Sequence, residues 1–182
     1  MMHPLRTERL ILRDWRDEDL PAFARLNADP RVAEFLPAVL TRKESDAMAA
    51  RIRSGIGENG FGLWAVEVPG VAPFVGFVGL QAPQFEAHFT PCIEVGWRLA
   101  LEHWNRGYAT EAARAAVAFG FDELQFDEIV ALTVPHNRAS RRVMQKLGMV
   151  HRPDDDFDHP RVPTGHPLSR HVLYRLRAES SK

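Results

Sequence analysis

The stretch "CIEVGWRLALEHWNRGYATEAARAAVAFGF" carries two periodicities that meet at one glycine. Up to Leu99 the residues alternate. Ile93, Val95, Trp97 and Leu99 share one face, and Cys92, Glu94, Gly96 and Arg98 share the other, as a strand requires. Beyond Gly107 the small residues Ala109, Ala112, Ala113, Ala116, Val117 and Gly120 recur at helical spacing, so this helix can lie close against a sheet. The next apolar run, "EIVALTV", is strand-like again. A strand, a small-faced helix and a second strand restrict the chain to sheet-plus-helix folds.

The remaining segments fill in the sheet. "ERLILRDW" reads as a first strand, and "DEDLPAFARLNADP" as a helix with an acidic front and Pro30 at its stop. "TRKESDAMAARIRS" opens with Thr41 and Glu44 at capping-box spacing and is expected to close before Gly55. "GFGLWAVEVPGVAPFVGFVGLQ" reads as two strands around a Pro/Gly turn. A helix is predicted from about Arg138 to Leu147, ended by Gly148, and "SRHVLYRL" is a last strand. This order predicts an α/β fold with one mixed, mostly antiparallel central sheet flanked by about four helices. With 182 residues, no repeat and no linker, a single domain over 1–182 is expected.

Composition excludes several partners. A net charge of −1 creates no field for nucleic acid or anionic lipid. No apolar run approaches the ~20 residues of a membrane span. The lone Cys92 excludes an internal disulfide, and "MMHPLRTERL" places charges where a leader needs an apolar stretch. A cytoplasmic protein is the expectation.

Gly107 opens the helix where the first amides have no partner inside it, and these amides with the positive end of the helix dipole suit a phosphate. Arg106 can add a charge-assisted bond. The alternative is a glycine that merely eases the turn. "EVGWRLALEHWNRGYATEAARA", followed by "VPHNRASRRVMQKLGM" and preceded by "TERLILRDWRDEDL", resembles the GNAT superfamily of acyl-CoA-dependent N-acetyltransferases over roughly residues 5–150. The branch it is most similar to contains the ribosomal-protein N-terminal acetyltransferases of RimJ/RimL type.

The resemblance implies acetyl-CoA as co-substrate, no metal, and a primary amine as acceptor, either a small molecule or a protein N-terminus. It implies that the backbone at Trp97, Arg98 and Leu99 aligns the pantetheine. Asn105, Arg106, Gly107, Tyr108, Ala109 and Thr110 would hold the pyrophosphate, with Trp104 replacing the usual Gln or Arg at the start of that pattern. Asn137, also read as an N-cap, would meet the pantetheine arm, and Arg138, Arg141 and Arg142 would help neutralise phosphate, Arg142 foremost, or else form a solvated face. Many relatives place a tyrosine acid where this chain has Met144. Ser140, one turn earlier, is the implied substitute, or else a hydroxyl bonded to backbone.

Glu94 lies between a thiol and a glycine along its strand face, with room beside it. A partly desolvated carboxylate there would have a raised pKa and serve as general base, and the bland alternative is an exposed edge carboxylate. An acetyl-cysteine route through Cys92 is disfavoured, since the family transfers directly. His151, His159, His166 and His171 with Asp154, Asp155, Asp156 and Asp158 lack compact ligand spacing, so the loop is expected to cover the acceptor mouth. A non-catalytic acyl-CoA-binding module is the rival reading, and a homodimer is left open.

Overall fold

The structure, a computed structural model, describes residues 4–178. The first three and last four residues of the expected domain, including the start of the segment read for a leader, lie outside the described residues. The elements in chain order are β1 Leu5–Arg6, β2 Ile11–Arg13, α1 Leu20–Ala28, α2 Arg42–Asn59, β3 Leu63–Val68, β4 Ala72–Gln81, β5 Glu94–Leu99, α3 Tyr108–Asp122, β6 Glu128–Thr133, α4 Arg138–Lys146, β7 Val150–His151, β8 Phe157–Asp158 and β9 Arg170–Arg177. The strands join in the order β1-β2-β3-β4-β5-β6-β9-β7, with β8 on β9. Every pairing is antiparallel except β5 with β6, and α3 forms the crossover between these two. The expected mixed, mostly antiparallel sheet with four helices is what the chain forms. Among the described residues no helix is long and apolar enough to cross a membrane.

The two faces bury different helices. On one, Ala112, Ala113 and Ala116 of α3 are each 0% exposed and pack with Val95, Leu99, Ile129 and Met144. On the other, Phe23 and Leu26 of α1 and Ala49 and Ile56 of α2 pack with Trp15, Phe74 and Phe77. The small stripe of α3 therefore does what its spacing predicts. Gly120 marks its closest approach: a Cβ there would lie 2.8 Å from Ile129 Cδ1 and 2.9 Å from Leu80 Cδ1. Those are flexible ends, so Gly120→Ala should be close to neutral, its strain offset by helix propensity. Gly120→Val should lose ~1–3 kcal/mol in urea unfolding, the usual cost of overpacking.

Two expectations change. The strand read at "ERLILRDW" shortens to Ile11–Arg13, because Thr7 and Leu10 close a turn, with the Thr7 amide on the Leu10 carbonyl at 3.0 Å. The result is a hairpin pairing Leu5 with Leu12. Helix α2 runs past Gly55 and Gly57 to Asn59 and stops at Gly60, where φ is 72°. Each internal glycine costs ~1 kcal/mol, but Ile52 and Ile56 continue the apolar face into the core, and that packing outweighs the local preference.

Candidate active site

The turn before α3 is built around left-handed backbone. Asn105 has φ 58° and Gly107, the N-cap, has φ 83°. The first helical bond is Glu111 N–H to the Gly107 carbonyl at 3.0 Å, and no side chain caps the helix. The amides of Tyr108, Ala109 and Thr110 therefore have no acceptor inside the helix and can receive an anion. Trp104 explains its departure from the common pattern, since its indole Nε1 donates to the Leu99 carbonyl at 2.7 Å and ties the loop to the end of β5. Arg106 leaves its side chain exposed.

One component of this site was missed. Arg9 lies across the helix start: its Nη1 donates to the Arg106 carbonyl at 3.0 Å, and its Nε donates to Glu111 at 2.7 Å. The guanidinium also covers the Tyr108 ring at 5.0 Å. Although burial raises the pKa of Glu111, bonds from Thr7 and Arg9 hold it below the ordinary carboxylate range. A carboxylate in the first turn weakens an anion site unless a cation offsets it. That conflict was the available signal, but the partner lies about a hundred residues away.

Between β5 and β6 the ladder is a single pair, Glu94 with Val130, with the Val130 amide on the Ile93 carbonyl at 2.8 Å. Antiparallel pairing to β4 directs the backbone groups of Arg98, Gly96 and Glu94 to that strand. Val95, Trp97 and Leu99 point theirs the other way. Beyond the pair the strands part, leaving a gap that opens toward their C-terminal ends. The Leu99 carbonyl is taken by Trp104, so beyond Val95 the amide and carbonyl of Trp97 and the amide of Leu99 are the groups that face the gap. Of the three predicted residues, Arg98 has its own backbone turned to β4. At the wide end Phe35, after α1, meets His136, with 6.2 Å between ring centroids.

Glu94 sits beside the narrow end, mid-sheet and half-buried, so it is not on an edge. Burial pushes its pKa up to about 7, opposed by the Gln81 amide, which donates to it at 3.1 Å. Such a carboxyl can take or give a proton near neutrality. Neighbouring Cys92 is pushed up to about 11 by burial and by the charge of Glu94. Its thiol is therefore protonated and a poor nucleophile.

On the other side of the gap, Asn137 caps α4. Its side-chain oxygen accepts the Ser140 amide at 3.1 Å, and its Nδ2 donates to Thr133 Oγ1 at 3.0 Å. Met144 is 1% exposed in the core beneath Ser140, whose side chain stays half-exposed one turn above. Arg141 donates to the Tyr174 hydroxyl and the Pro135 carbonyl, whereas Arg142 is exposed.

The aspartate- and proline-rich segment folds back on the residues before β5. Phe157 packs on Phe89 at 4.8 Å and His159 on Phe85 at 4.6 Å, next to Cys92. Burial pushes the pKa of both His159 and His171 down, leaving their rings neutral near pH 7. His151 instead pairs with Asp156 at 2.7 Å.

Known proteins resemble this chain in sequence and fold. A family model described as an acetyltransferase (GNAT) domain matches residues 9–150. The chain is 30% identical over 149 residues to the uncharacterized N-acetyltransferase YnaD of Bacillus subtilis, covering 81% of this chain and 82% of that protein. An acetyltransferase structure from Agrobacterium tumefaciens superposes with a TM-score of 0.78 at 27% identity, covering 98% and 96% of the two chains. The structure of RimL, a ribosomal L7/L12 alpha-N-protein acetyltransferase in complex with coenzyme A, shares the fold with a TM-score of 0.75 at 12% identity, covering 96% and 98%.

Proposed function

The chain belongs to the GNAT acetyltransferase domain family, and on that premise we propose that it forms one domain that moves the acetyl group of acetyl-CoA directly to a primary amine. One observation carries the reading: the β5–β6 ladder is a single pair at Glu94, both strands run on beyond it without pairing, and α3 packs on the Val95 and Leu99 face, opposite Glu94. Acetyl-CoA lays its pyrophosphate on the amides of residues 108–110, near Arg106 and Arg142, and its pantetheine along Trp97 toward Asn137. The amine enters on the other face, where Glu94 removes its proton, directly or through one water. The amine nitrogen bonds to the acetyl carbon and the carbon–sulfur bond breaks. Ser140 gives a proton to the departing thiolate and takes one back from solvent.

The RimL likeness supports a protein N-terminus as one acceptor class, alongside small-molecule amines. Incubating the protein with acetyl-CoA and a panel of both classes, while detecting free thiol, tests the reading. Amine-dependent thiol release is expected. Binding of acetyl-CoA without transfer to any amine would reduce the protein to a cofactor-binding module.

Ser140→Ala should lower kcat by ~10-fold or more while leaving the acetyl-CoA KM nearly unchanged, because an acid acts only as the thiolate forms. A change confined to KM would make Ser140 a binding or capping residue.

A further inference from the structure

The face of the sheet that carries Glu94 has a second charged group, Arg98. Across β4 and β5 the same-face pairs are Gln81 with Glu94, Gly79 with Gly96 and Phe77 with Arg98. The middle pair has no side chains. Over Gly96 there is room, since a Cβ there would meet only Gln81 Nε2 at 3.9 Å. A trough thus runs along β5 from the Glu94 carboxyl to the Arg98 guanidinium, and all three residues of its β5 wall keep some solvent access. Four residues of strand span about 13 Å.

The guanidinium is held but not neutralised. Its Nη1 donates to Asn27 Oδ1 at 2.6 Å, Asn27 is itself fixed by donating to Ser45 Oγ at 2.9 Å, and the cation lies 5.4 Å from the Phe77 ring centroid. Among the described residues no carboxylate lies within ion-pair distance of it, whereas Arg13 and Arg175 each have two and Arg177 has one. Burial alone pushes its pKa down to about 10, with no neighbouring acid to restore it. An arginine has five N–H donors in a planar fork, and the remaining ones match the two oxygens of a carboxylate. Desolvating a cation without a counter-charge is unfavourable for the free protein. An anionic ligand at that position reverses the penalty.

We propose that Arg98 anchors a carboxylate of the acceptor, so that the preferred substrates are primary amines carrying a carboxylate at the far end of the trough from the reacting nitrogen. The inference rests on the acetyl-transfer reading and names its substrate class. Long-chain ω-amino acids, and peptides through an acidic side chain or C-terminus, both present this chemistry. Arg98 is a specificity residue that touches the acceptor and takes no part in proton transfer.

The test uses the full chain with acetyl-CoA and two sets of matched acceptors. One is a ladder of ω-amino acids of increasing length with their carboxamides, and the other is short peptides with C-terminal carboxylate or amide. The wild type should favour carboxylate over carboxamide by about tenfold or more in kcat/KM at the best length, as a charge-assisted pair does. Whichever set shows the larger ratio identifies the source of the carboxylate. Arg98→Met should bring that ratio to about one, with coenzyme A affinity and Tm retained, and Arg98→Lys should keep part of it. Should Arg98→Met fail to fold, simple alkyl carboxylates should still inhibit the wild type competitively against the amine and not against acetyl-CoA. Equal use of carboxylate and carboxamide by the wild type would overturn the anchor and leave acetyl transfer standing, as would an unaltered ratio in a folded Arg98→Met. Transfer to no amine of either kind would overturn both.

Discussion

Replacing Glu94 with glutamine is expected to make the protein more stable and much less active. The two effects share one cause. Burial moves the carboxyl from its ordinary 4.5 to about 7. Below 4.5 both folded and unfolded chains carry the proton, and the group contributes nothing to stability. Between 4.5 and about 7 folding takes up a proton, so stability falls as pH rises. Above that range the folded protein carries the whole penalty. At about 1.4 kcal/mol per pH unit this amounts to ~3 kcal/mol, reduced by the solvent access the side chain keeps. Glutamine retains the shape and removes the charge. Glu94→Gln should therefore gain ~1–3 kcal/mol in urea unfolding at pH 8 and nothing at pH 4.

Activity should move oppositely. A general base contributes ~10²–10⁴-fold, so kcat/KM should fall toward the lower end of that range. Wild-type kcat/KM should rise with pH through about 7 as Glu94 ionises. The variant should lack that rise and should narrow the difference as solvent deprotonates more of the amine. A variant with wild-type rate and pH profile would remove Glu94 from the reaction. The neutral rings of His159 and His171 would then be the next groups to replace.

Gly107→Glu should weaken coenzyme A binding by ~100-fold, or about 3 kcal/mol. Three contributions add. The backbone at Gly107 has φ 83°, which costs a side-chain-bearing residue ~1–2 kcal/mol and so favours a relaxed turn that no longer gathers the free amides. A Cβ would meet Arg9 Nη2 at 3.2 Å and disturb the clamp on Glu111. The new carboxylate would also occupy the space where the free amides converge and repel phosphate. Gly107→Asn tolerates the left-handed backbone and adds no charge, so it should lose only ~10-fold. Calorimetry separates the two. Equal affinity of Gly107→Glu and wild type would place the pyrophosphate elsewhere.

The central strand–glycine–helix–strand unit was legible because its pattern is local. The alternation of β5, the alanine stripe of α3 and the Asn137 cap each depend on residues within a turn or two, and the structure has all three. The first hairpin was hidden because Thr7–Leu10 turns the chain without a glycine or proline to mark the turn. The length of α2 was hidden because its glycines are weak stops against a buried face. The Arg9–Glu111 clamp and the reach of Trp104 to Leu99 depend on how elements meet in space. For the same reason the sequence indicates a mixed sheet but not where the β5–β6 ladder ends. Divergence is set by what packs on either side.

That short ladder divides the sheet into two leaves, joined along one seam by a single residue pair. The first leaf, β1 to β5, bears Glu94 and Arg98 and leads into the α3 start. The second, β6 with β9, β7 and β8, leads into α4 and carries the aspartate-rich segment. On the proposed reading no leaf holds a complete site, and the thioester is the part that spans the joint. A pantetheine bonded to Trp97 on one side and Asn137 on the other would serve as the missing rungs between them. The spacing of base and acid would then be set by the ligand's own width, so that the cofactor measures out the site in which it reacts.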